Sequence, residues 1–188
     1  MTLSKTDIQQ RLNDNLDIQR EEGSLSIEPS SVDLHLGSEV KKPTQKKGVV
    51  AVDDESSYPS YESYSGERFT IPSKGFALAH TEEVVDLPND IVGFIWGRSS
   101  VGRLGLFIHN AGLIDAGFSG DIVLELTNAS PHPIELRSGM RICQLTLHEH
   151  DSVPSMGYSA ENGNKYQHQR GATPSRLYED FAKVEADD

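Results

Sequence analysis

Hydrophobic and polar positions alternate with a period near two along much of the chain, and the apolar runs are short. From Phe69 onward, "GFALAHTEEVVDLP", "IVGFIWGRSS", "LGLFIHNAG", "DIVLELTN", "HPIELRSGM" and "RICQLTLHEH" follow one another, with Gly, Pro and Asn at the breaks. Runs of that length and spacing predict an all-β barrel or sandwich, with a jelly roll as one way of closing it. Upstream, "SSVDLHLGSEV" puts Val32, Leu34 and Leu36 on one side and predicts a further strand. The start of the chain predicts a short helix. Ser4 can cap it, Asp7 completes a capping-box pattern, Ile8 and Leu12 share a face, and Leu3 can staple against Ile8.

Two segments break the alternation. Residues 40–66 are charged, rich in Ser and Tyr and weakly periodic, which predicts a long loop or a mobile hairpin arm rather than a domain linker. After Asp151 the chain turns Gly-rich and polar, and only its end has the pattern of a short helix. With 188 residues, one domain with a real core is expected over 1–188. Within it, about 1–25 is read as an N-terminal helical segment and about 156–188 as a mobile C-terminal tail.

Charge and cysteine usage narrow the function classes. A formal net charge of -12 argues against general nucleic-acid binding, which needs a basic surface. No run of 18 apolar residues exists, and the N-terminus lacks the apolar centre of a signal peptide. A soluble cytoplasmic protein with no membrane contact is the expectation. The single cysteine, Cys143, sits in a strand-like run where a thiol acts as a small buried apolar group. One cysteine also excludes the His/Cys plus C-x-x-C zinc site of the zinc-dependent nucleoside deaminases. "HEH" at 148–150 lacks the helical spacing of a zinc motif, so His148 and His150 read as exposed residues at a strand end.

Three stretches carry candidate chemistry. In "DIVLELT", Ile122, Leu124 and Leu126 point one way and Val123, Glu125 and Thr127 the other. Glu125 therefore lies either in plain solvent or in a cleft, where a carboxylate can move protons. In "GRSSVGRLG", Arg98 and Arg103 flank two hydroxyls after an apolar strand. Guanidinium groups pair bidentately with phosphate oxygens, and a turn of small residues presents backbone N–H groups to an anion. In "KYQHQRGATPSR", five cationic or amide side chains fall within a short stretch of an acidic chain, which suits a lid over a polyanion.

Taken in order, "PSSVDLHLG", "GRSSVGRLGL", "HNAGLIDAGFSGDIVLELTN", "SGMRICQL" and "KYQHQRGATPSR" resemble the dCTP deaminases of the dUTPase-like superfamily. The resemblance covers nearly the whole chain and is weakest over 40–66. It implies a distorted jelly-roll barrel, a homotrimer with active sites between subunits, and zinc-independent conversion of dCTP and water to dUTP and ammonia. With no metal-ligand motif in the chain, the protein is expected to bind no cofactor of its own, and Mg²⁺ to arrive held by the substrate's phosphates. By motif, Glu125 is the proton-transferring carboxylate, and Arg98, Ser99, Ser100 and Arg103 form the triphosphate segment. Asp115 matches the aspartate near the deoxyribose, and Phe118 an aromatic that disfavours ribose. Val123 and Gln144 match further nucleotide contacts, and Tyr158, Lys165 and Gln169 the tail residues that close on the nucleotide. The tail favours deamination to dUTP. "AGLID" resembles the dUTPase motif in which the aspartate orients water, and the segment around "HNAG" is compact, so a bifunctional enzyme releasing dUMP and diphosphate is the alternative. A plain dUTPase, a non-catalytic nucleotide sensor and a structural jelly roll follow.

Overall fold

In the computed structural model, which describes residues 1–44, 48–109 and 112–182, the chain opens with helix α1, Lys5–Asp14. Ser4 caps it as expected: its side chain accepts the Asp7 N–H, and the Asp7 carboxylate accepts the Ser4 N–H at 2.9 Å. Leu3 and Ile8 are both buried in the main core. Helix covers less of the first 25 residues than the sequence led us to expect. Asn15 leaves helical geometry with φ −150°, and the chain then joins sheet edges through β1, Asp17–Gln19, and β2, Ser26–Glu28.

The remaining elements are β3 (Ser31–Pro43), β4 (Tyr61–Ser65), β5 (Arg68–Ile71), β6 (Phe76–Asp86), β7 (Ile91–Gly97), the single-turn α2 (Ser99–Gly102), β8 (Leu106–His109), β9 (Leu113–Ile114), β10 (Ser119–Asn128), β11 (Ile134–Arg137), β12 (Arg141–Glu149) and α3 (Glu179–Ala182). Among the described residues, antiparallel pairing runs β8–β10–β6–β3–β12–β7–β9, with β1, β2 and β4 on side branches and β5–β11 a separate ladder. The result is the expected all-β, distorted jelly-roll architecture. No helix among the described residues is long and apolar enough to cross a membrane.

Strand β3 joins the two halves of this curled sheet. Its first residues pair with β2 and β12, and its later ones with β6 and β4. The register against β6 shifts between Leu36 and Val40. Gly37 lies in that shift, and a Cβ there would come within 2.4 Å of the His80 ring, so no larger residue fits without moving the imidazole. The described ends of the segment over 40–66 pair as the two strands of a hairpin, Glu39 to Pro43 with Ser65 to Tyr61.

Covering both faces of β3 has a consequence for its polar residues. Val32, Leu34 and Leu36 are fully buried, as the alternation predicts, but Asp33 and His35 between them are buried too, at 1% and 5% exposure. A buried polar group without partners costs several kcal/mol, so each has one. His35 offers its backbone N–H and ring Nδ1 to the Glu83 carboxylate at 2.8 and 2.6 Å. Asp33 gathers Arg98, Arg141 and Gln144. The apolar centre comprises Leu124 and Leu126 of β10 with Leu145 and Leu147 of β12, all fully buried, each contributing about 1.5–3 kcal/mol.

Candidate active site

Strand β10 builds the site. Leu124 and Leu126 enter the core, so Glu125 between them emerges on the opposite face, opposite Leu78 of β6 and His109 of β8. A register shift between Asp121 and Val123 interrupts the alternation, and consecutive residues Ile122 and Val123 both reach the same cavity. This cavity measures about 450 Å³. Glu125 shares it with apolar walls from Phe76, Leu78, Ile95 and Ile114.

The turn after β9 adds Asp115 and Phe118. The Phe118 N–H donates to the Asp115 carbonyl at 3.1 Å, closing the turn. Phe118 is buried and packs edge-on against Tyr158, ring centroids 5.7 Å apart. Burial raises the Tyr158 phenol above its usual range, and the nearby Asp115 charge pushes the same way, so this group stays protonated and serves as a neutral wall. Its oxygen accepts the Tyr166 N–H at 3.3 Å.

The tail returns across β10 and closes one side. The His168 N–H reaches the Ser119 carbonyl at 2.7 Å, and the Asp121 N–H the Gln169 carbonyl at 3.1 Å. Tyr166, Gln169, Thr173, Pro174 and Ser175 thereby line the cavity. Tyr61 from the hairpin arm lines it as well, and burial raises its phenol above the usual value.

Of the residues marked in the sequence, the fold brings together Glu125, Asp115, Phe118, Val123, Tyr158 and Gln169. It does not bring the cationic set to the same cavity. Arg98, Ser99, Ser100 and Arg103 sit on and around α2, and Arg98 Nη2 pairs with Asp33 at 3.2 Å. Gln144 Nε2 donates to the other Asp33 oxygen at 3.0 Å. Lys165 Nζ pairs with Asp180 at 2.6 Å and not with the cavity. Among the described lining residues there are two carboxylates, Asp115 and Glu125, and no Lys or Arg. The compact "HNAG" segment includes Asn110 and Ala111, which lie outside the described residues.

Among the described residues, the histidines and acids offer one further cluster, His35 with Glu82 and Glu83, but protein groups already satisfy it. His35 holds both Glu83 oxygens, and Arg20 Nε lies 2.9 Å from Glu82 and 3.7 Å from Glu83. His148 stacks edge-on against Phe94 and contacts the Thr2 hydroxyl at 3.2 Å, so it is less exposed than the sequence suggested.

Residue-by-residue reading missed Tyr61, Tyr166 and Thr173–Ser175. The tail stretch reads as a lid, yet its individual lining residues follow no period. Tyr61 lies where the periodicity is weakest. Asp33 was also missed, since alternation alone reads it as outward-facing.

The sequence profile of the dCTP deaminase-like family matches residues 2–150. A protein of Aquifex aeolicus named dCTP deaminase, dUMP-forming, is 44% identical over 168 residues, covering 85% of this chain and 90% of its own. One of Natronomonas pharaonis named dCTP deaminase is 39% identical over 193 residues, covering 96% of each chain. Among solved structures, the 2'-deoxycytidine 5'-triphosphate deaminase of Agrobacterium tumefaciens superposes with a TM-score of 0.62 at 22% identity, covering 79% of this chain and 48% of that one. The Staphylococcus bacteriophage 80alpha dUTPase, solved with dUPNHPP, gives 0.51 at 15% identity over 76% and 86% of the two chains. These two likenesses concern the fold alone, whereas the profile and the relatives settle descent: the chain belongs to the dCTP deaminase-like family.

Proposed function

We propose that this protein hydrolytically deaminates dCTP and carries the product on to dUMP and diphosphate. The observation that carries the reading is the position of Glu125, a carboxylate set between two core leucines and aimed into an apolar-walled cavity of about 450 Å³. Water adds at C4 of cytosine, and Glu125 takes a proton from it and delivers one to N3. A second proton moves from the new hydroxyl to the amino group, which leaves as ammonia with a carbonyl left at C4. Positioned proton transfer of this kind is worth roughly 10²–10⁴ in rate. Orientation supplies the rest, with the triphosphate as a remote anchor.

For the second step, Asp115 orients a water toward the α-phosphorus, and the bond to the departing diphosphate breaks. Relatives named as dUMP-forming, at 44% and 43% identity, put this reading ahead of simple dUTP release. The Natronomonas pharaonis relative, aligned over 96% of this chain and named without that qualifier, supports release of dUTP as the second reading. Mg²⁺ enters with the triphosphate as part of the substrate.

The cavity itself supplies two acids and, among its described lining, no cation, so a tetra-anionic nucleotide needs positive charge from elsewhere. A neighbouring copy presenting Arg98, Ser99, Ser100 and Arg103 meets that need, which supports a homotrimer with its sites between subunits. Leu113 and Phe76 line the cavity yet remain 49% and 40% exposed, an apolar mouth suited to such a neighbour.

Incubation with dCTP and Mg²⁺, measuring ammonia and separating dUTP from dUMP, tests both steps. Ammonia with dUMP is expected. Accumulated dUTP without dUMP would move the second reading to first place. Glu125→Gln is expected to slow ammonia formation by roughly 10²–10⁴-fold with dCTP binding largely kept. A variant as active as the parent removes Glu125 from the mechanism, and failure to bind any deoxynucleotide overturns the whole reading.

A further inference from the structure

We propose that Glu39 and Asp121 act as a two-carboxylate clamp on the Gly171–Ala172 turn, positioning the tail, and Gln169 with it, over the nucleotide. The idea rests on the functional reading above but adds two residues that no motif assigns. Two successive backbone N–H groups of the tail end on two carboxylates from different strands. The Gly171 N–H donates to Asp121 Oδ2 at 2.8 Å, and the Ala172 N–H to Glu39 Oε2 at 3.1 Å. Gly171 has φ +69°, the left-handed conformation that turns both donors toward the acids, and a Cβ there would lie 2.6 Å from Glu39 Oε2. Ala172 is fully buried, so the turn is seated in the body of the fold.

Each acid is itself held in place. Asp121 is 5% exposed, and its Oδ2 lies 3.3 Å from His80 Nδ1, whose proton also faces the Thr81 carbonyl at 2.8 Å. The His80 ring in turn rests on Gly37, at the register shift of β3. Arg170 Nε approaches Asp121 Oδ1 at 3.9 Å, and Lys41 Nζ approaches Glu39 at 3.5 Å. Hydrogen bonds to an ionised acceptor are stronger than neutral ones. The same strand residue completes the attachment, because Gln169 Nε2 donates to the Asp121 carbonyl at 2.8 Å. Gln169 and Thr173, on either side of the clamp, both line the cavity with Glu125.

The clamp sets how much of the nucleotide's binding energy is used in ordering the tail. With the turn already seated, little is needed. Without it, substrate must fold the tail down, which weakens apparent affinity, while the closed complex that forms at saturation is the same.

The test compares Glu39→Ala, Glu39→Gln, Asp121→Ala and Asp121→Asn in the full-length protein. The alanine variants are expected to raise KM for dCTP about tenfold with kcat within about twofold, the loss of roughly one charged hydrogen bond. The amide variants keep an acceptor oxygen and are expected to recover most of the affinity. A second readout needs no turnover: trypsin cleavage after Arg170, mapped by intact mass, is expected to be slow in the parent and faster in the alanine variants. The Glu39 side chain is 28% exposed against 8% for Asp121, so Glu39→Ala keeps the test alive if Asp121→Ala does not fold. Unchanged KM and unchanged cleavage in Glu39→Ala overturn the clamp. If the parent does not turn over dCTP, the functional reading fails and the cleavage pattern alone decides the clamp.

Discussion

Asp33 offers the sharpest perturbation, because one buried carboxylate ties together two residues that the sequence assigned to nucleotide binding. Its Oδ2 lies 3.2 Å from both Arg98 Nη2 and Arg141 Nη1, and its Oδ1 accepts from Gln144 Nε2 at 3.0 Å. Asp33→Asn keeps the shape and removes the charge. The new amide can turn to satisfy Gln144, but the two guanidinium groups then face an NH₂ in place of an anion. Charged hydrogen bonds contribute about 1.5–3 kcal/mol each when enclosed. The Arg98 and Arg141 side chains are 24% and 45% exposed, so water replaces part of each bond, and the Arg141 pair falls toward the small values of surface ion pairs. A net loss of about 2–3 kcal/mol follows. For a chain of this size each kcal/mol lowers Tm by about 2–4 °C, so a fall of roughly 5–10 °C is expected by thermal denaturation. In the same variant Arg98 loses its orienting partner, and KM for dCTP is expected to rise about tenfold in a steady-state assay. An Asp33→Asn protein with parental Tm and parental KM would refute the reasoning. A lowered Tm with unchanged KM would show that Asp33 supports the fold without orienting Arg98.

Two further outcomes concern stability and reactivity. Asn128 is fully buried and donates to the carbonyls of Ile71, Pro72 and His132 at 3.0, 3.1 and 2.8 Å while accepting the Ser130 N–H at 2.9 Å, so Asn128→Ala is expected to lose about 2–4 kcal/mol in urea unfolding. A loss below about 1 kcal/mol would mean that those carbonyls find other partners. Burial, helped by the charges of Glu83 and Asp33, pushes the Cys143 thiol well up, so it should resist alkylation at pH 8 in the native protein and react at once in denaturant. Since only the unfolded thiol then ionises, stability should fall as pH rises above about 8.5, by up to about 1.4 kcal/mol per pH unit from this group alone. Cys143→Ala should flatten that slope, and an equal slope in both proteins would contradict the burial argument.

What the sequence revealed and what it hid follow one physical rule. Alternation reports which residues enter a core, so Leu124 and Leu126 expose Glu125 by elimination, and Val32, Leu34 and Leu36 mark β3 as a strand. Alternation assumes that the other face meets water. On β10 the other face meets a cavity, and the inference about Glu125 holds. On β3 it meets more protein, so Asp33 and His35 are enclosed, and their partners Arg98 and Glu83 lie far along the chain, where no local pattern connects them. The same distinction bears on the phosphate site. Motif order picked out acids and cations as one group, but a single copy separates them: Glu125 and Asp115 line the cavity, while Arg98 and Gln144 face Asp33 and Lys165 faces Asp180. Among the described residues no Lys or Arg lines the cavity with Glu125, which is why the proposed reading takes the triphosphate's positive charge from a neighbour. In the proposed assembly each copy offers its cationic turn to a neighbour's acidic cavity. A mixture of Glu125→Gln and Arg98→Ala chains, each inactive alone, should therefore regain activity as subunits exchange. Mixed trimers that stay inactive would place both residues in the same subunit's site and remove the argument for sharing.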